Sequence, residues 1–486
     1  MSSYFSDLAQ QYIDGAWRPG TGSWDVIDFN PYDDEKLASI TVATVDEVDQ
    51  AYRAAARAQK QWAETNPYTR RAVFERALRL IEDSEQEIAD LIIAELGGTR
   101  VKAGFELHLA KEFLRESIHL ALRPEGKILP SPADGKENRV YRVPVGVVGV
   151  ISPFNFPFLL SLKSVAPALA LGNGVVLKPH QNTPIAGGTL IAKIFEDAGL
   201  PGGLLNVVVT DIAEIGDAFL EHPVPKVISF TGSDAVGRHV ATVCARHFKR
   251  SVLELGGNSA LVVLDDADID YAVDAAVFSR FVHQGQVCMA ANRVLVDASV
   301  ADEFTEKFVA KVRTLKTGDP RDPQTVIGPV INSQQAAALS GTVEQALAEG
   351  ATALVRGATE GNLVEPSVLT GVPAGSALLQ QEVFGPVVFL IRFDGEEEAV
   401  RIVNDTPYGL SGAVHTGDIE RGVAFAKRID TGMFHVNDGT VHDEPLVPFG
   451  GEKHSGIGRL NGETTLEAFT TIKWISVQHG RSGFPF

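Results

Sequence analysis

From Val145 onward the chain alternates short apolar runs with segments of helical period. Val145–Ile151, Val175–Lys178, Leu205–Val209, Lys226–Phe230, Ser251–Glu254 and Ala260–Leu264 read as buried strands. Between them, Leu159–Leu171 and Asp234–Arg246 read as helices. A further helix is capped by Thr183, carries Pro184 in its first turn and stops at Gly199. Strands alternating with helices predict an α/β fold with a mostly parallel, doubly wound sheet. Upstream, the pattern predicts a strand around Tyr12–Trp17, a turn-rich stretch at Asn30–Asp34, a helix from Val45 to about Thr65, and helical structure through 68–96. Residues 124–144 are rich in Pro and Gly and then run into "NRVYRVPV". They are either a linker or an extended arm used in assembly.

The polar residues then fall into place. Lys178 and Glu254 end predicted strands, while Asn155 and Thr231-Gly232-Ser233 follow them. Carboxyl ends of strands are where ligands bind in open α/β sheets. In "FTGSDAVG", Gly232 and Gly237 lie between a strand and a helix, an arrangement that lets a phosphate approach the helix N-terminus. Glu254, in "LELGG", is a carboxylate at the end of an apolar strand, partly desolvated and so suited to general-base work. Cys288, in "HQGQVCMA", is by itself either a nucleophile or a small packing residue. His283 reads as structural.

Composition narrows the field. A chain of 486 residues exceeds one simple core and implies two or three domains or subdomains. A formal net charge of −19 argues against nucleic acid and anionic membrane as partners. The apolar window 143–177 is broken by prolines and glycines, so it is not expected to span a membrane. Two cysteines, Cys244 and Cys288, cannot build a disulfide framework, and "MSSYFSDLAQQY" lacks the regions of a signal peptide. A cytoplasmic location is expected. The 12 histidines show no metal-ligand spacing, and no metal is expected. Cys244 is expected to be a buried packing thiol.

A thiol, a carboxylate, an amide donor and a nucleotide site together suggest one scheme. The thiolate adds to an aldehyde, the oxyanion is held by amide donors, hydride passes to a nicotinamide, and water cleaves the thioester. The motifs "PFNFP" (153–157), "LKP" (177–179), "FTGS" (230–233), "LELGG" (253–257), "GQVC" (285–288), "EVFGPV" (382–387), "TPYGLSG" (406–412) and "PFGG" (448–451) run in the order of a known family. In them the chain resembles the NAD(P)-dependent aldehyde dehydrogenase superfamily.

The resemblance implies Cys288 as nucleophile, Glu254 as the base for the deacylating water, and Asn155 as the oxyanion-hole amide. It implies Lys178 and Gln181 at the adenine-side ribose, and Gly232, Ser233 and Gly237 at the pyrophosphate. Glu382 and Phe384 would position the nicotinamide ribose and ring, and Leu255 would also bind the cofactor. It implies a Rossmann-type dinucleotide-binding domain (1–123 and 145–253), an α/β catalytic domain (254–458), and a β oligomerisation arm (124–144 and 459–486). A homodimer or homotetramer is expected.

Two departures matter. Gln181 stands where many NAD-preferring relatives have a glutamate, so NAD use with tolerance for NADP is expected. Lys163 stands where many relatives have a tryptophan beside the substrate tunnel, which resembles the benzaldehyde and vanillin dehydrogenase branch. Phe156, Lys163, Met289 and Phe449 are expected around an aromatic aldehyde of the benzaldehyde, hydroxybenzaldehyde or vanillin type, since aromatic walls suit a flat ring. The alternative is an aliphatic aldehyde or semialdehyde. His442, Asp443 and Glu444 either read ring hydroxyls or are solvated loop residues.

Overall fold

The computed structural model describes residues 4–486. Among the described residues the strands form two large sheets, a three-stranded one and three two-stranded pairs. In the first, eight strands lie in the order Ala16–Arg18, Gln11–Ile13, Leu205–Val207, Gly174–Lys178, Val147–Ile151, Val227–Thr231, Arg250–Glu254 and Gly456–Ile457. The five strands from Leu205–Val207 to Arg250–Glu254 are parallel. Chain order reverses between Val147–Ile151 and Val227–Thr231. At such a switch point the loops leave in opposite directions and open a crevice. Asn155 and Ser233 follow these two strands.

The second sheet has seven strands. Its order is Thr352–Val355, Ser367–Thr370, Val387–Phe393, Ala291–Asp297, Ser259–Val263, Gly412–His415 and His435–Val436, and only the first pairing is antiparallel. The third is an antiparallel sheet of Gly126–Leu129, Lys136–Pro144 and Thr470–Gln478. The stretch 124–144 is therefore an arm of paired strands rather than a linker.

The local structure departs from expectation in four places. Tyr12–Trp17 is not one strand but a tight hairpin, because Asp14 and Gly15 both take positive φ (56° and 76°). Helical 68–96 is two helices, Pro67–Asp83 and Glu85–Leu96, parted at Ser84. Arg100–Leu120 is a further helix that the apolar pattern did not predict. Its inner face carries Lys102, Glu106 and Ser117, all buried, and these charges mask the stripe. Finally, the Thr183 hydroxyl does not cap the helix after it. The carboxylate of Glu95 does so, accepting from the N–H groups of Ile185 and Ala186 at 2.7 Å each. A widened turn, Ile185–Thr189, then leads into Leu190–Asp197.

Candidate active site

Two cavities meet between the sheets. The smaller is walled by Phe156, Lys163, Met289 and Phe449. The larger lies over the first sheet at its switch point. Asn155, Glu254, Leu255 and Cys288 line both, so the three residues expected to do the chemistry stand at the junction.

Cys288 is held by a loop in an unusual conformation. His283, Gln284 and Gly285 all have left-handed backbone, at φ 52°, 54° and 74°. Such residues persist only where the surroundings dictate them. Here the fully buried Arg280 donates to the Gly285 and Val383 carbonyls at 2.8 and 3.0 Å. Gln284 donates to Pro329 O at 2.8 Å, and Gln286 accepts from Ile331 N–H at 3.0 Å. His283 is buried edge-on against Phe156, in keeping with a structural role. Burial, followed by the carboxylates of Glu382 and Glu254, pushes the Cys288 thiol up to about 12. Cys288, the expected nucleophile, is thus a neutral thiol in this structure.

Asn155 donates through Nδ2 to Gln286 O at 3.0 Å. That bond fixes the amide beside the cysteine loop and uses one of its two N–H groups. Glu254 is buried, and neither carboxylate oxygen has a hydrogen-bond partner. Burial raises it to about 8, with Lys163 opposing that rise. A bare carboxyl that titrates near neutrality can take a proton from water.

The helix after Asn155 is anchored by residues that carried no recognisable motif. Pro157 stands at its first turn. Glu106 accepts from the Phe158 and Leu159 N–H groups at 2.9 and 3.1 Å and pairs with the buried Lys102. Glu95 likewise accepts from two backbone N–H groups in the segment after Lys178. The only signal for these acids was a charge inside an apolar helix.

On the larger cavity the structure places Lys178, Gly232, Ser233, Glu382 and Phe384 on the wall. Ser233 caps Asp234–Arg246. Glu382 accepts from Gly257 N–H at 3.0 Å, and burial raises it to about 7. A Cβ at Gly256 would lie 2.5 Å from Glu382, so only glycine allows this approach. Two expected residues are not on the wall. Gln181 is exposed beyond the turn at His180, and Gly237 is buried in its helix, where a Cβ would lie 2.4 Å from Leu255. Gly237 therefore permits close packing against Leu255. His180 and Asp211 line the cavity beside Lys178. Burial holds His180 down to about 4, so it is neutral at pH 7.

Of the loop residues, Asp443 is not solvated: it pairs with Lys163. His442 is partly exposed on the cavity rim and bonds Glu444, which is exposed. Cys244 is buried, as expected of a packing thiol.

Comparison with known proteins bears on this site. The family model described as "Aldehyde dehydrogenase family" matches residues 17–475. A benzaldehyde dehydrogenase of Bacillus subtilis (strain 168), YfmT, is 60% identical over 482 residues, 99% of each chain. A vanillin dehydrogenase of Corynebacterium glutamicum is 48% identical over 474 residues, covering 97% of this chain and 98% of that one. The crystal structure of an NAD-dependent benzaldehyde dehydrogenase from Corynebacterium glutamicum superposes with a TM-score of 0.89 at 46% identity, covering 97% and 98% of the two chains.

Proposed function

The chain belongs to the aldehyde dehydrogenase family, and from that premise we propose that it oxidises aromatic aldehydes of the benzaldehyde, hydroxybenzaldehyde or vanillin type to carboxylic acids. NAD or NADP is the oxidant and water the co-substrate. The observation that carries the substrate reading is the smaller cavity. It reaches Cys288 between the rings of Phe156 and Phe449 and the side chains of Leu159 and Met289. A flat ring gains from such walls through edge and face contacts.

The larger cavity suits a nicotinamide dinucleotide: it offers a capped helix N-terminus at Ser233, and its wall includes Gly256, which lets Glu382 come close. Lys178 would hold the ribose on one side, Gly232 and Ser233 the pyrophosphate, and Leu255, Glu382 and Phe384 the nicotinamide half. When bound, the cofactor supplies the hydride acceptor.

The chain's own residues do the rest. Cys288 Sγ bonds the aldehyde carbon after losing its proton, and Glu254 is the nearby base. The free N–H of Asn155, with the backbone N–H of Cys288, holds the oxyanion. Once the carbon is oxidised, a thioester remains on Cys288. Glu254 takes a proton from water, the water oxygen bonds the acyl carbon, and the C–S bond breaks.

Three further parts belong to the reading. Residues 1–123 and 145–253 are taken as the dinucleotide-binding domain, 254–458 as the catalytic domain, and 124–144 with 459–486 as the arm. The arm leaves Ile128, Ile472 and Trp474 exposed, as suits a contact with a second copy in a homodimer or homotetramer. A free nucleophilic thiol suits a reducing cytoplasm. No helix among the described residues is long and apolar enough to cross a membrane.

The test is kcat/KM for benzaldehyde, vanillin and straight-chain aldehydes, each with NAD and with NADP. The aromatic set should lead. A clear preference for the aliphatic set would overturn the substrate assignment.

A further inference from the structure

The aldehyde cavity contains a buried ion pair that the scheme above leaves unused. Lys163 Nζ lies 2.6 Å from Asp443 Oδ2, with side chains 3% and 7% exposed. Asp443 Oδ1 accepts from Asn461 Nδ2 at 2.8 Å, which fixes the carboxylate. The ammonium sits 3.7 Å from the Phe449 ring centroid and 4.9 Å from that of Phe113. Burying two charges is costly, and apolar residues of similar size often serve stability as well. The pair therefore calls for another use.

Its position suggests one. Lys163 and Asp443 line the same cavity as Glu254 and Cys288. The segment after Phe449 touches the base: a Cβ at Gly450 would lie 2.9 Å from Glu254 Oε1. The charged groups around Glu254 are Lys163 from helix Pro157–Ala170 and Asp443 from the loop before "PFGG", which share its cavity wall, and Arg459, which meets the same Gly450. Cys288 faces it across the junction, and Glu382 faces Cys288 in turn. The Arg459 guanidinium is already committed to Gly451 O, Gly458 O and Glu452. Lys163 and Asp443 act on Glu254 with opposite sign, Lys163 the more strongly.

We propose that Lys163 and Asp443 are a positioning pair for the proton state of Glu254: the ammonium favours the ionised base, the Asp443 carboxylate opposes it, and together they set the pH at which the thioester is hydrolysed. The proposal rests on Glu254 being the water-activating base. In that step ionised Glu254 takes one proton from water, the water oxygen bonds the acyl carbon, and the sulfur leaves as thiolate. Glu254 must then return its proton to solvent before the next turnover. A cation at its side favours that return.

The experiment follows acyl-enzyme decay across pH 6–9. The enzyme with NAD is mixed rapidly with benzaldehyde, quenched in acid, and the acylated protein is followed by intact mass. In the parent enzyme decay quickens as pH rises and Glu254 ionises. Lys163→Met removes the charge that favours ionisation, so the rising limb moves to higher pH, by about half a unit or more. Asp443→Asn removes the opposing charge, so the limb moves to lower pH. Lys163→Arg should restore the parent profile. Opposite shifts from the two halves of one pair would not follow from a general loosening of the site.

If Lys163→Met does not fold, Asp443→Asn and the double variant Lys163→Met/Asp443→Asn carry the test, the double lying on the alkaline side of Asp443→Asn. Shifts of the same sign, or unmoved limbs with only KM for benzaldehyde changed, overturn the proposal and leave the pair as a wall of the pocket. Glu254→Gln separates the two readings. If it turns over normally, the base assignment fails. If it accumulates acyl-enzyme while the pair variants leave the profile unmoved, only the present inference fails.

Discussion

Glu254→Gln should make the folded protein less sensitive to alkali while stopping its turnover. Burial raises Glu254 from 4.5 to about 8. A carboxyl raised on folding contributes its full stability below pH 4.5, where it is protonated in both states. That contribution is lost as pH rises toward 8, because the unfolded chain ionises freely and the folded one does not. At about 1.4 kcal/mol per pH unit, the loss is about 2 kcal/mol by pH 6 and about 5 kcal/mol by pH 9. Glutamine cannot ionise and occupies nearly the same volume. Relative to the parent, the variant should therefore gain about 2–3 kcal/mol between pH 6 and pH 9.

With an unfolding entropy of about 2 cal/mol/K per residue, that gain is about 2–3 °C of Tm. The assay is a set of thermal scans of both proteins at one scan rate, at half-unit pH steps. The Tm gap should widen in favour of Glu254→Gln as pH rises. Parallel Tm curves over this range would refute the claim that Glu254 is buried, bare and raised in the folded state. The same variant should release one burst of reduced cofactor per site and then stall as a thioester.

Asn155→Ala should slow thioester formation by about 10²–10³ if its free N–H holds the oxyanion, read as the rate of the reduced-cofactor burst at saturating aldehyde. Gly237→Ala would drive a methyl into Leu255, 2.4 Å away. It should cost about 1–3 kcal/mol of stability and raise KM for NAD more than KM for aldehyde. Trp474→Asp together with Ile472→Asp places charges on the exposed face of the arm. Light scattering should then show a smaller assembly than that of the parent, with the far-UV spectrum unchanged.

The five parallel strands of the first sheet, the helix Asp234–Arg246, and the seats of Lys178, Ser233 and Glu254 at or just past strand ends were legible from residue order. Each depends on neighbours within a few positions: an apolar run, a cap, a glycine turn. The reading of Cys288 as a nucleophile rests on its company with the other motifs, since its own sequence surroundings also suit a packing thiol. What residue order left open depends on partners far along the chain. Glu95 and Glu106 look like stray charges in helices until the N–H groups of Ile185 and Phe158 arrive to be capped. Gln181 reads as a cofactor contact from its place after Lys178, but its exposure, and the presence of His180 and Asp211 on the cavity wall, depend on how the turn folds. Asp443 reads equally as a solvated loop residue, and only folding brings it to Lys163. The chemical identities at the site were thus determined locally, by side chains and turn geometry. Their charge states were decided by tertiary structure, because desolvation and the nearest opposite charge depend on what packs around a group.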